Sequence, residues 1–203
     1  MARIKVLTQD QIIKCAFDIA RSKGLNAITI REIGKQLKKS TAPIYTQYQS
    51  IEDIIDDLEL YINKVLLDYT QKPYTENGFL NIGIGFINFV LENKRIFSDF
   101  FMSIESPSSI FSNDKEIYLP HMRKDYLLNQ LSDASLTQIY SDIVVYCYGL
   151  AVMICSNLSE TNELNYYINK LQEAGNIMIS YQMFKSGLYD DIVRELITKK
   201  GQS

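Results

Sequence analysis

Apolar residues recur at helical spacing along almost the whole of this chain, interrupted by short polar clusters. Ile12, Ala16, Ile19 and Ala20 fall on one face of a helix that runs to about Lys23, with Gly24 as its stop. Thr8 and Gln11 have the spacing of a capping box, and Leu7 and Ile12 that of a hydrophobic staple. Thr29 and Glu32 repeat the box, with Ile28 and Ile33 as staple, ahead of a short helix over 30–37 that turns Ile30, Ile33 and Leu37 inward. Ser40 predicts a third cap and a helix over 41–48, whose buried face holds Ile44 and Tyr48. Pro43 is then the third helical residue, where a missing N–H has no intrahelical acceptor to lose.

A fourth helix over about 50–69 turns Ile51, Ile54, Ile55, Leu58, Ile62 and Leu66 inward. A polar break covers 71–78. Residues 79–101 predict two helices meeting near Asn93 and Lys94, and 103–114 read as a loop by composition. Helices follow over 115–131, 135–157 and 161–186, then a stop at Gly187 and a last short helix over 188–199. There is no β alternation and no repeat with a period of 20–50 residues. The pattern predicts an all-α protein: a three-helix head over 1–50, joined by the fourth helix to a helical body over 51–203.

Charge sharpens this division. Residues 1–50 hold nine Lys and Arg against three Asp and Glu, while the rest holds twelve against twenty-one. A basic end on an acidic body suits contact with a polyanion. Two short helices joined by a tight turn, the second rich in hydroxyls, describe either a helix-turn-helix or a plain helical hairpin in a bundle. In a helix-turn-helix, Thr41, Ala42, Tyr45, Thr46 and Gln47 are left for another surface.

The stretch IIKCAFDIARSKGLNAITIREIGKQLKKSTAPIYTQYQSIEDII resembles the DNA-binding unit of the tetracycline-repressor-like (TetR) regulators. That family has an apolar first helix ending in Lys-Gly and a Thr-x-Arg-Glu-Ile second helix. A Ser-x-x-x-Leu/Ile-Tyr-x-x-Phe/Tyr recognition helix and an acidic-apolar fourth helix follow. The resemblance covers about residues 8–58. It implies a regulator, usually a repressor, that binds a palindromic operator in double-stranded DNA as a homodimer and is released by a small molecule. Thr29 and Tyr45 would then touch phosphate, and Arg31, Thr41, Ala42, Pro43 and Gln47 would face base edges, with Ser40 and Thr46 beside them. Three positions depart from the family pattern. Lys38 stands where the turn often has glycine, Lys39 where it has an apolar residue, and Ile51 where the fourth helix often opens with lysine. If position 38 needs a positive φ, a lysine there costs about 1 kcal/mol. Lys35, Lys38, Lys39, Arg3 and Lys5 are alternative phosphate contacts. These departures keep open a second reading, a regulator-like protein that has lost DNA binding and acts through protein partners.

NFVLENKRIFSDFF also resembles a segment of the family's regulatory domains. Large apolar side chains in the body predict an effector pocket from Phe86, Phe89, Phe97, Phe101, Tyr118, Met122, Tyr126 and Tyr146, suited to an apolar or amphipathic molecule. The two long helices near the C-terminus are apolar over more than one stripe, which predicts a second buried surface beyond the core. The resemblance implies a four-helix interface between two copies, assigned to Leu150, Ile154, Leu171, Ala174, Gly175, Met178 and Tyr181.

Other classes find little support. The single histidine, His121, excludes a cage of histidines around a metal within one chain, and after Pro120 it reads as a helix-start residue. GIG at 83–85 lacks the third glycine of a phosphate loop and sits in a helical pattern. No enzyme chemistry and no cofactor are expected. The longest apolar run, 143–155, is thirteen residues, too short to span a bilayer. The chain's first residues have no apolar signal core, so a cytoplasmic protein without membrane contact is expected. Cys15, Cys147 and Cys155 read as reduced core thiols.

Overall fold

In a computed structural model of the chain, the described residues are 7–102, 115–158 and 161–190. All regular structure among them is helical. In chain order it comprises α1 (Gln9–Lys23), α2 (Ile30–Leu37), α3 (Ala42–Tyr45), α4 (Ile51–Thr70), α5 (Gly78–Glu92), α6 (Lys94–Ile96), α7 (Lys115–Met122), α8 (Tyr126–Asn129), α9 (Asp133–Cys155) and α10 (Leu164–Lys185). A 3-10 turn at Leu25–Ala27 follows α1, and a π-helical turn at Phe97–Phe101 follows α6. Contacts divide the chain into two compact units. One holds the residues up to 68 together with the segment that begins at 89, and the other holds 69–88 and the C-terminal helices.

The first unit follows from local capping and one apolar stripe per helix. Thr8 Oγ1 accepts the Gln11 N–H at 3.3 Å and Gln11 Oε1 accepts the Thr8 N–H at 3.2 Å, completing the first capping box. Ile12, Ala16, Ile19 and Ala20 are all buried, and Gly24 ends α1 at φ 89°. Thr29 caps α2 through the Glu32 N–H at 3.0 Å. The Glu32 carboxylate, however, goes to Lys23 Nζ at 2.6 Å, and this bond holds it below the ordinary glutamate range. Ser50 and Asp53 form another reciprocal pair at the start of α4. Ser50 Oγ accepts the Asp53 N–H at 3.1 Å, and Asp53 Oδ2 accepts the Ser50 N–H at 2.9 Å. Ile54, Leu58, Ile62 and Leu66 then form one buried i, i+4 row along α4. Asp99, on the π turn, accepts the Leu25 N–H at 2.6 Å and so ties that turn to the end of α1.

Three expectations change. The third helix is shorter than 41–48: α3 holds four residues, and its N-cap is Thr41, not Ser40. Thr41 has helical φ and ψ (−74°, −21°), and its carbonyl accepts the first bonds, from Ile44 at 3.0 Å and Tyr45 at 3.2 Å. Pro43 is therefore the second helical residue, still at a position without an intrahelical acceptor. The helix over 115–131 is two helices, because Asp125 stops the first and caps the second through the N–H groups of Leu127 and Leu128 at 2.9 and 3.3 Å. His121 lies in the last turn of α7 rather than at a helix start. Pro120 before it withholds the N–H that would bond the Glu116 carbonyl, and the helix ends two residues later.

The break at Asn93 and the stop at Gly187 (φ 71°) fall where expected. The loop over 103–114 lies outside the described residues, as does most of the last helix, of which Tyr189 and Asp190 are helical. Cys15 and Cys147 are buried thiols and Cys155 is half-buried. Burial pushes the Cys147 thiol up to about 12. At 23 residues, α9 is long and apolar enough by composition to cross a membrane, a length that the thirteen-residue apolar run understated. Leu136, Ile139, Ile143, Leu150 and Ile154 are nevertheless buried, which is the pattern of a core helix.

In the second unit, α5 makes two close approaches through glycine. A Cβ at Gly85 would meet the backbone of Tyr69 and Thr70, 2.6 Å from the Thr70 Cα. A Cβ at Gly83 would come within 3.1 Å of Leu171 Cδ1 on α10. Two residues apart, these positions point about 200° from each other around the helix. Gly85→Ala is expected to destabilise by roughly 1–3 kcal/mol, since backbone cannot step aside as a side chain can. Urea unfolding followed by far-UV circular dichroism measures it, and an unchanged midpoint would contradict the close approach.

Candidate nucleic-acid interface

The turn between α2 and α3 is closed by backbone. Lys38 adopts the left-handed conformation (φ 52°, ψ 43°). The Lys39 N–H donates to the Gly34 carbonyl at 2.9 Å and the Lys38 N–H to the Lys35 carbonyl at 3.2 Å, a Schellman pair. Gly34 sits against this turn. A Cβ there would lie 3.1 Å from the Lys39 carbonyl oxygen and 3.7 Å from both Ile44 Cδ1 and Thr41 Cγ2. The signal for it in the sequence is a glycine in the middle of an eight-residue helix, where it costs up to about 1 kcal/mol relative to alanine unless close packing requires it.

With Ile44 and Tyr48 buried beneath it, α3 turns the remaining residues outward. The Tyr48 hydroxyl donates to Asp57 Oδ2 at 2.7 Å, which fixes the end of this segment to α4. Tyr45 is 56% exposed, and Ala42 and Thr46 are exposed, while Thr41, Pro43 and Gln47 are half-buried. The Thr41 hydroxyl caps nothing. The Thr46 hydroxyl donates to the Pro43 carbonyl at 2.6 Å and so helps to end the helix. Thr29, Arg31, Lys39 and Ser40 are exposed around this segment. Of the ten residues that the sequence assigns to DNA, seven are exposed and three are half-buried.

The electrostatics are uneven. Asp10, Asp18 and Glu32 pair with Lys14, Arg21 and Lys23, all on α1 or facing it. Among the described residues, Arg31, Lys38 and Lys39 make no ion pair.

No protein-family model matches the sequence, and no curated protein matches it as a relative. Among solved structures, the crystal structure of the Streptomyces coelicolor TetR family protein ActR in complex with (S)-DNPA matches with a TM-score of 0.52 and 18% sequence identity. The match covers 97% of this chain and 100% of that one. The chain has the TetR-family fold.

Of the residues expected to form an effector pocket, some belong to each unit. Phe89, Phe97 and Phe101 form a buried aromatic cluster in the first unit, with ring centroids 6.1 and 5.3 Å apart. In the second unit, Tyr118 stacks on Tyr140 at 5.6 Å and shares a hydrogen bond of 2.8 Å with Thr70. Phe86 and Met122 are buried there, Tyr146 is half-buried and Tyr126 is exposed. A cavity of about 630 Å³ opens between α5 and α10, lined by Thr75, Glu76, Asn77, Phe79, Leu80, Gly83, Ile143, Leu171, Gln172, Gly175, Asn176 and Ile179. None of the eight expected residues lines it.

Of the residues assigned to a dimer surface, Leu150, Ile154, Leu171, Ala174 and Gly175 are buried within the chain and Met178 is half-buried. Only Tyr181 is well exposed, at 60%. It belongs to a stripe on α10 with Ile177 at 71% and Phe184 at 75%, while Val145 at 71% and Met153 are exposed on α9.

Lys38→Gly is expected to stabilise the fold by up to about 1 kcal/mol, because glycine takes the left-handed conformation without steric cost. In a chain of this size that corresponds to a rise in Tm of about 2–4 °C. Differential scanning calorimetry reads it, and a lower Tm would show that the lysine side chain supports the turn.

Proposed function

We propose that this protein is a TetR-like transcriptional regulator acting as a cytoplasmic repressor. Residues 1–50 bind a palindromic operator, and residues 51–203 provide dimerisation and effector binding. The observation that carries this reading is the exposed face of α3, with Ala42 and Tyr45 next to Thr41 and with Arg31, Lys38 and Lys39, which make no ion pair among the described residues, just before it in the chain. Short side chains at Thr41 and Ala42 permit close approach to a major groove, and the cations suit phosphate. The left-handed turn at Lys38 also keeps its Schellman bonds, so this departure from the family pattern does not open the motif. ActR was crystallised with a small molecule, which supports ligand binding by this fold.

A second copy is proposed to pack on the exposed stripe of Ile177, Tyr181 and Phe184. Single exposed apolar residues are ordinary, but three at i, i+4 and i+7 form a continuous patch. A twofold dimer would present two α3 segments to half-sites one helical turn apart or a multiple of it. Phe184→Glu is expected to shift the protein toward monomer in light scattering and to weaken DNA binding, since the second half-site is no longer held at high effective concentration. An unchanged dimer would exclude this stripe.

Operator duplexes selected by the protein itself from a random pool provide the test of DNA binding. Tyr45→Phe should weaken binding to a similar extent on all selected sequences, because phosphate carries no base information. Arg31→Ala should also relax sequence preference, losing roughly 1–3 kcal/mol of discrimination. Failure to enrich any sequence at low salt would favour the reading in which DNA binding is lost.

A further inference from the structure

The cavity between α5 and α10 has no part in reading DNA, and its chemistry is lopsided. Its floor is apolar, with Phe79, Leu171 and Ile179 buried. Its rim carries one charged residue, Glu76, and no cationic residue. Glu76 is exposed and makes no ion pair among the described residues. Across from it, Gln172 and Asn176 are one turn apart on α10 and exposed, without hydrogen bonds among the described residues. The neighbouring Asn77 amide is already committed, to the Leu80 N–H at 2.8 Å and to Asp125 at 3.2 Å. Lys72, the nearest lysine in sequence, stands over the Tyr69 ring at 4.3 Å and does not line the cavity.

On α10 the cavity is lined by a residue without a side chain, Gly175. A Cβ at Gly175 would sit 3.4 Å from Phe79 Cε1, an ordinary contact, so anything longer would grow into the cavity. The volume, about 630 Å³, is that of a small-molecule site. At 100° per residue, Gln172 and Asn176 lie on a different flank of α10 from Ile177, Tyr181 and Phe184, so a partner on that stripe leaves the cavity open.

We propose that this cavity is a binding site for an amphipathic organic cation, an aryl- or alkylamine whose apolar part lies on Phe79 and Leu171 and whose ammonium group meets Glu76. An anion of the same shape would meet the Glu76 carboxylate with no cation to offset it. The amide oxygens of Gln172 and Asn176 accept further N–H donors. As the route by which a ligand releases DNA, this site rests on the regulator reading above. As a binding site it does not.

The test is calorimetric titration of the full chain, without DNA, with 4-phenylbutylamine, 4-phenylbutanol and 4-phenylbutyrate at pH 7 and low salt. The amine is expected to bind about tenfold more tightly than the carboxylate, a gap that narrows as salt screens the rim charge. Glu76→Gln should weaken the amine several-fold and leave the alcohol unchanged. Gly175→Leu, a favourable change for helix propensity, should remove binding of all three while the circular dichroism spectrum stays that of the parent. Equal binding of amine and carboxylate, indifference of the amine to Glu76→Gln, retention of binding in a folded Gly175→Leu variant, or no amine binding at millimolar concentration would each overturn the site. Adding the amine to a complex with selected operator is a separate measurement. Amine binding that leaves DNA affinity unchanged upholds the site and overturns only its role in release.

Discussion

Gly34 sets the geometry on which the candidate DNA-reading face depends. Its carbonyl receives the Lys39 N–H, and its missing side chain lets the turn at Lys38 and Lys39 fold back over α2. A Cβ there would lie 3.1 Å from the Lys39 carbonyl oxygen, so the turn would have to give by a few tenths of an ångström. Because α3 is only four residues long, it has little helical stability of its own. The turn before it, the Ile44 anchor beneath it and the Tyr48–Asp57 bond after it hold it in place. The outward direction of Tyr45 follows from those three supports.

Much of the first unit was legible because capping is local chemistry. A hydroxyl three residues before Gln, Glu or Asp can cap a helix through local bonds, and Thr8, Thr29 and Ser50 all do so. Ser40 misled because the Schellman turn occupies the residues that a cap would need. Once Lys38 turns left-handed, Lys39 and Ser40 complete the reversal, and the first acceptor carbonyl falls to Thr41. Asp125 misled in the opposite way. Its carboxylate stops an apolar pattern that otherwise continues, and only the bonds to Leu127 and Leu128 reveal the second start.

Side-chain size predicted burial but not which surface each residue faces. Phe89, Phe97 and Phe101 pack on one another as a buried aromatic cluster. The cavity between α5 and α10 is lined in part by small residues, Gly83 and Gly175, which carry no apolar signal of their own. The same holds on α10. Its excess of apolar residues was visible along the sequence, but Leu171, Ala174 and Gly175 serve the core while Ile177 and Phe184 face outward. Period 3.6 fixes the spacing of two faces and leaves open which one the rest of the chain covers.

Charge resolves more cleanly, because it sums over neighbours. The three acids of the first fifty residues are each spent on a cation: Lys14, Arg21 and Lys23. These pairs are exposed and worth little to stability. Their effect is to leave the positive surplus of this segment away from α1. Within the described residues that surplus falls on Arg31, Lys35, Lys38 and Lys39, along α2 and the turn into α3. Lys38 sits there at a position where glycine would relieve backbone strain. A lysine held in the left-handed region, in the middle of an unneutralised patch, costs the fold free energy and adds positive potential at the edge of α3. That positive potential suits a surface that meets a polyanion.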